Sequence, residues 1–213
     1  FILENNAKYL DRIPGLVYRN NGNFCHSEDK RLQEDMDKLP FLKWSLYPDF
    51  KNLVPNIELS RGCKYACKYC TNTFSYKNSY RSKSSDKIFK EIQYTLEQYE
   101  NDKQAIYMGG MIFDLKDPNL IQLVNKLSDS PIVWRTESRV DCLTSKDVMK
   151  LMLTGLETID WGLDSVSPNI LKIMRKTQNP ELYLEKATTL FRELKDEPIL
   201  NKANIMFYPG ETA

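Results

Sequence analysis

The chain has 213 residues, 41% hydrophobic and 28% charged, with Lys+Arg 30 against Asp+Glu 29. That balance fits a globular protein with one sizeable core. A formal net charge of +1 gives no electrostatic reason to expect a nucleic acid or an anionic membrane as partner, no apolar run approaches the roughly 20 residues that cross a bilayer, and with Glu4, Asn5, Asn6 and Lys8 among the first residues no signal peptide is visible.

Residues 15–27 read as a short hairpin, with Leu16, Val17, Tyr18 and Phe24 as β-formers and Asn21-Gly22 as the turn. Residues 28–41 read as a polar connector, and the Pro-marked stretch WSLYPDFKNLVPN leads to the first clear strand. The predicted organisation is a hairpin and linker over 1–52 and a main domain over 53–213. The start at Phe1 and the stop after YPGETA read as the ends of a fragment.

From residue 56 strands and helices alternate. NIELS (56–60) is the first strand, and residues 86–100 follow as a helix with Ile88, Phe89, Ile92, Leu96 and Tyr99 at helical spacing. QAIYMGG (104–110) is the second strand, and Pro118 opens a helix with Leu120, Ile121, Val124 and Leu127 on one side. PIVWRTES (131–138) is the third strand. Thr144 or Ser145 caps a helix carrying Val148, Leu151, Met152 and Leu153. TIDWGLDS (158–165) is the fourth strand, helices cover about 168–175 and 180–195, and ANIMFYPGE (203–211) is the fifth strand.

Such alternation predicts an α/β fold with a parallel sheet, either open and doubly wound or a full or partial (β/α) barrel. In either, ligands sit at the carboxyl ends of the strands. Gly109-Gly110, Glu137-Ser138-Arg139, Asp164-Ser165 and Pro209-Gly210-Glu211 all fall at those ends, beside a loop that follows the first strand. One shared site is expected there. Trp134 and Trp161 read as packing residues within strands, and Tyr107 faces either the core or the site. Lys64, Lys68, Lys77, Arg81, Lys83 and Lys87 read as a solvated basic face.

The loop after the first strand, SRGCKYACKYCTNTF, sets Cys63, Cys67 and Cys70 in a C-x3-C-x2-C spacing. Five cysteines form an odd set, and this triplet is too tight for a disulfide framework; in a reducing cytoplasm it reads as metal or cluster chemistry. A structural zinc wants a fourth Cys or His nearby. Here the next cysteine is Cys142, read as a small buried residue, and the only histidine is His26. Three thiolates on a [4Fe–4S] cluster leave one iron open, and an open metal position is where a small molecule binds.

Cys63-x-x-x-Cys67-x-Tyr69-Cys70 resembles the cysteine loop of the radical S-adenosylmethionine (SAM) superfamily. The resemblance implies a partial (β/α) barrel whose cluster is held by Cys63, Cys67 and Cys70, with SAM chelating the open iron. It further implies reductive cleavage of SAM to methionine and a 5′-deoxyadenosyl radical. By position, Tyr69 would lie near the adenine, and Gly109-Gly110 would meet the SAM amino group. Met111 stands where the family often has Glu. Glu137, Arg139, Asp164 and Ser165 would approach the methionine carboxylate and the ribose.

The run ESRVDCLTSKDVMKLMLTGLETIDWGLDSVSPNILKIMRK, the segment FYPGET, and IPGLVYRNNGNF with MDKLPFLKWSLYPDF are similar to radical SAM enzymes that carry an N-terminal cobalamin-binding domain. No D-x-H-x-x-G loop occurs, so cobalamin enters through the linker resemblance, by way of a domain upstream. The class implied is a cobalamin-dependent methyltransferase or rearrangement enzyme, acting on a small molecule or peptide and supplied by an electron donor such as flavodoxin or ferredoxin. Two alternatives stand beside it: an RNA-modifying methylthiotransferase, and a non-catalytic iron–sulfur electron-transfer protein.

Overall fold

The computed structural model describes residues 9–27, 34–76, 79–100, 105–130 and 132–210. The chain divides into two compact units, with the boundary between Glu34 and Asp35. The first is the hairpin: β1 (Val17–Asn20) pairs antiparallel with β2 (Asn23–His26). Asn21 and Gly22 both take positive φ, as the two-residue turn requires.

The boundary falls earlier than position 52, because residues 35–52 pack on the second unit. Asp37 accepts from the Ser84 backbone N–H at 2.8 Å, Lys87 Nζ donates to the Leu39 carbonyl, and the Phe50 ring meets Tyr99 edge-on.

The second unit is built on β3 (Asn56–Glu58), β4 (Ser60–Arg61), α1 (Thr71–Tyr76), β5 (Arg81–Ser82) and α2 (Ser85–Gln98). There follow β6 (Ala105–Gly109), α3 (Pro118–Leu127), β7 (Val133–Arg139), α4 (Ser145–Met152), β8 (Leu156–Asp164), α5 (Pro168–Ile173), α6 (Pro180–Glu193) and β9 (Leu200–Ile205). Five strands form one sheet in the order β3-β6-β7-β8-β9, and every pair is parallel. That is the expected α/β architecture with helical crossovers, an open sheet over the described residues.

Local chemistry starts the helices where the sequence signals them. Thr144 and Asp147 form a reciprocal capping box on α4, and α3, α5 and α6 each begin with proline behind an Asp, Ser or Asn cap.

Parallel register puts Ile57 beside Met108, Ile106 beside Trp134, and Thr136 beside Ile159 on one face. These residues bury against Ile88, Ile92, Leu120, Leu123, Val148 and Leu151. Trp134 and Trp161 are both fully buried in this core, as read, and their indole N–H groups reach Thr154 O and Asn201 Oδ1. Truncating either to Ala is worth about 3–5 kcal/mol.

Strand alternation turns Tyr107, Arg135, Glu137, Arg139 and Asp160 to the opposite, polar face.

Four expectations need correction. The fifth strand runs over Leu200–Ile205 and not 203–211; it begins earlier because Leu200 already pairs with Thr158, and Phe207 beyond it is fully exposed. Ile121 and Leu153 face solvent, since the buried stripes run through Leu120, Leu123 and Leu127 and through Val148 and Leu151. The basic run is not one solvated face: Lys83 is buried in an ion pair with Glu91, and Lys64 pairs with Asp114. Cys142 is half-buried, not a core residue. Lys77 and Glu211 lie outside the described residues.

Candidate cluster and SAM site

The cysteine loop is held at its start by a two-strand ribbon. β4 and β5 pair antiparallel, Leu59 N–H donates to Gly109 O at 2.7 Å, and Lys83 N–H donates to Leu59 O at 2.9 Å. Gly62 then turns the chain with φ 78°, and a Cβ there would stand 1.5 Å from the Ser79 carbonyl oxygen. Only glycine fits.

Cys63, Cys67 and Cys70 follow, all with free thiols; Cys67 is buried and the other two are half-buried. Hydrogen-bond donors point at the sulfurs. The Tyr65 N–H reaches Cys63 Sγ at 3.4 Å, and Arg139 Nη1 reaches Cys67 Sγ at 3.7 Å. Burial raises the Cys63 thiol above its ordinary range, while the Tyr65 N–H acts in the opposite direction. The Cys70 N–H donates to Cys67 O, and Thr73 Oγ1 donates to the same carbonyl, carrying the loop into α1.

Two further segments close on the loop. Lys68 N–H donates to Met174 O at 2.8 Å, just past α5. Tyr69 donates its hydroxyl to Asp164, which also pairs with Lys176, and Lys176 Nζ reaches the Tyr69 oxygen at 3.4 Å. Burial, then Asp164, pushes the Tyr69 phenol far above its ordinary range, so it stays protonated. Asp164 takes φ 71°, a left-handed value, at the strand end. Tyr65 lies beneath Arg139, whose guanidinium carbon is 3.8 Å from the ring centre, and its hydroxyl contacts Cys142 Sγ at 3.2 Å. Burial pushes the Cys142 thiol up to about 11, so it is protonated at neutral pH.

Each predicted site residue lies at the carboxyl end of the sheet, in differing roles. Gly109 and Gly110 are tightly approached: a Cβ would come within 2.5 Å of Asn56 Oδ1 and 2.9 Å of Ser60 Oγ. Glu137 sits on the polar face next to Asp160 in register, and Tyr107 bonds its carboxylate; burial raises its pKa. Tyr107 therefore belongs to the polar face. Arg139 and Asp164 are engaged with partners within the chain, and Ser165 is fully buried with its Oγ accepting from Ser167 N–H. Pro209 and Gly210 lie in the turn past β9.

Sequence reasoning missed Tyr65, Asp141 and Lys176. The R-V-D spacing that lets Asp141 fork Arg139 was the one local signal among them. A groove of about 720 Å³ opens beside Asp141 and Cys142, between the β7–α4 turn and α6, and does not include the triplet.

Among the described residues no three His, Cys, Asp or Glu side chains converge on a single metal-ion position. An iron–sulfur cube presents its irons at separate corners, so its thiolates stand apart. Three free thiols on one anchored loop, with N–H donors aimed at two of the sulfurs, fit such a cluster.

Fold and site together define an α/β protein with a three-thiol loop at the carboxyl edge of a parallel sheet. Residues 57–213 match the radical SAM superfamily, and the chain belongs to that family. The [4Fe–4S] cluster and SAM that the sequence resemblance implied are the family's cofactors. The uncharacterized methyltransferase PH0819 of Pyrococcus horikoshii is 24% identical over 190 residues, which is 86% of this chain and 41% of that protein. The ribosomal protein uS12 methylthiotransferase RimO of Thermosipho africanus is 24% identical over 172 residues, 73% of this chain and 38% of that protein. The chain thus spans less than half the length of these curated relatives.

Among solved structures, the cobalamin-dependent SAM radical enzyme OxsB with aqua-cobalamin superimposes with a TM-score of 0.75 at 20% identity, over 97% of this chain and 31% of that one. TsrM from Kitasatospora setae, a radical SAM methyltransferase with tryptophan and a SAM analogue bound, gives 0.75 at 16% identity, over 99% and 44%. These likenesses establish the shared fold. No helix among the described residues is long and apolar enough to cross a membrane.

Proposed function

We propose that this chain is the catalytic part of a radical SAM enzyme. Cys63, Cys67 and Cys70 hold a [4Fe–4S] cluster through three of its irons, and the fourth takes SAM. When bound, the cluster supplies the electron for reductive cleavage of SAM. The observation that carries this reading is the convergence of the anchored three-thiol loop with the ends of β6, β7 and β8.

The chain's own residues position and enclose. Gly109 and Gly110 end β6 beside the loop, where their backbone would meet the SAM amino group, and Glu137 offers a carboxylate on the polar face. Tyr69, Asp164 and Lys176 are bonded to one another beside the loop, Ser165 follows Asp164 at the end of β8, and Arg139 stacks on the loop's Tyr65. The buried sheet face shields the site from the other side.

Within the family, the best-supported class is a cobalamin-dependent methyltransferase acting on a small molecule, with an electron donor such as flavodoxin or ferredoxin in the cytoplasm. The likeness to OxsB and TsrM and the methyltransferase names among the curated relatives support it. The methylthiotransferase class has its own support in RimO.

Anaerobic incubation of the reconstituted protein with SAM and dithionite tests the shared reading. Formation of 5′-deoxyadenosine is expected. Intact SAM in the presence of a fully loaded, reduced cluster would refute SAM cleavage.

A further inference from the structure

Arg139 is a buried cation, 6% exposed, at the end of β7. Each of its edges is taken. Nε and Nη2 fork the Asp141 carboxylate at 2.8 and 2.9 Å, Nη2 also donates to Lys176 O at 2.8 Å, and Nη1 donates to Cys67 Sγ at 3.7 Å. The flat face lies over the Tyr65 ring at 3.8 Å, with the Tyr183 ring 5.6 Å away. The bidentate grip that a SAM carboxylate would need is already occupied by Asp141.

Two of these contacts, Tyr65 and Cys67, belong to the cysteine loop itself. We propose that Arg139 is a positioning residue that seats this loop and raises the reduction potential of the cluster bound there, through the N–H it donates to Cys67. The proposal rests on the reading of Cys67 as a cluster ligand.

The physical argument concerns charge. Reduction by one electron from an external donor adds one negative charge to the cluster and its thiolates. A cationic N–H on a ligating sulfur favours the more negative state, and hydrogen bonds to cluster sulfurs are an established control of potential. Asp141 fixes the guanidinium plane, so the donor is held in place before the electron arrives.

The test is an EPR-monitored redox titration, with dithionite, of the reconstituted protein and of Arg139→Gln and Arg139→Lys, with iron content measured alongside. In Arg139→Gln the ratio of reduced to oxidised cluster at the wild-type midpoint should fall about tenfold, a shift of about 59 mV to lower potential for a one-electron couple. Arg139→Lys keeps the charge and loses the fork, and should recover part of that shift. A loaded Arg139→Gln with the wild-type midpoint overturns the proposal, since a merely structural role would change loading or thermal stability alone.

Should the variants fail to load, the wild-type protein decides. With ¹⁵N-labelled arginine, pulsed EPR of the reduced cluster should show a ¹⁵N coupling, and its absence overturns the proposal. Failure of the underlying reading would look different: no cluster in the wild-type protein at all.

Discussion

The Tyr69 hydroxyl bonds the Asp164 carboxylate, joining the residue before the last cysteine to the end of the fourth sheet strand, β8. Lys176 completes the group from beyond α5, with side chains only 5% and 9% exposed for Lys176 and Asp164. A buried ion pair that loses one member leaves a charge unpaired, which costs about 3–5 kcal/mol. Lys176→Met should therefore lower stability by about 3 kcal/mol, read from the urea midpoint. The double variant Lys176→Met with Asp164→Asn should recover most of that loss. Equal losses in the single and double variants would show that the pair contributes little.

Replacing Cys63, Cys67 or Cys70 by Ala should abolish stable cluster loading, measured as iron per protein. Cys142→Ala should leave iron content unchanged, because its thiol is engaged by Tyr65 and is protonated at neutral pH. Full iron in Cys67→Ala would remove the basis of the site assignment.

Gly62 and Gly155 make a matched pair. Both have positive φ, and a Cβ would stand 1.5 Å from Ser79 O in one and 1.9 Å from Ile132 O in the other. Either change to Ala should destabilise the fold by more than the ~1 kcal/mol seen where space is free. Gly62→Ala should also reduce iron uptake, since Gly62 opens the cysteine loop; Gly155→Ala, just before β8 begins, should load normally when folded. Iron content normalised to folded protein, the folded fraction taken from circular dichroism, separates the two.

Glu137 carries a sign that can be checked. Burial first, then Asp160, raises its carboxyl above the ordinary range, against the opposing bond from Tyr107. A folded pKa above the unfolded value means that full stability is present below the unfolded pKa and is lost as pH rises through the folded one. Glu137→Gln, which does not ionise, should match wild type below about pH 4 and exceed it at neutral pH. Urea midpoints of both proteins across that range would show a difference that grows with pH; a constant difference would contradict the burial account.

The parts of this molecule written in local chemistry were legible in its sequence. The cysteine spacing, the Asn21-Gly22 turn, the Thr144 cap and Pro118 each act within a few residues, so each could be read in place. Boundaries set by distant partners could not. β9 begins at Leu200 because β8 offers Thr158 as a register partner, whereas the aromatic run at Phe207 and Tyr208 reads as strand but lies beyond the paired residues, which end at Ile205. Lys176 sits in the polar stretch RKTQNP, where nothing local separates it from a surface lysine. Only the fold brings it to Asp164. Lys83 shows the same limit, since the basic run concealed the ion pair that buries it with Glu91.

The central claim is that three thiolates hold a cluster with one iron open to SAM. EPR of the anaerobically reconstituted, reduced protein, recorded with and without SAM, tests it most directly. The account predicts a [4Fe–4S]⁺ signal whose g-values and line shape change when SAM is added. A cluster signal indifferent to SAM, or no cluster at all, would contradict it.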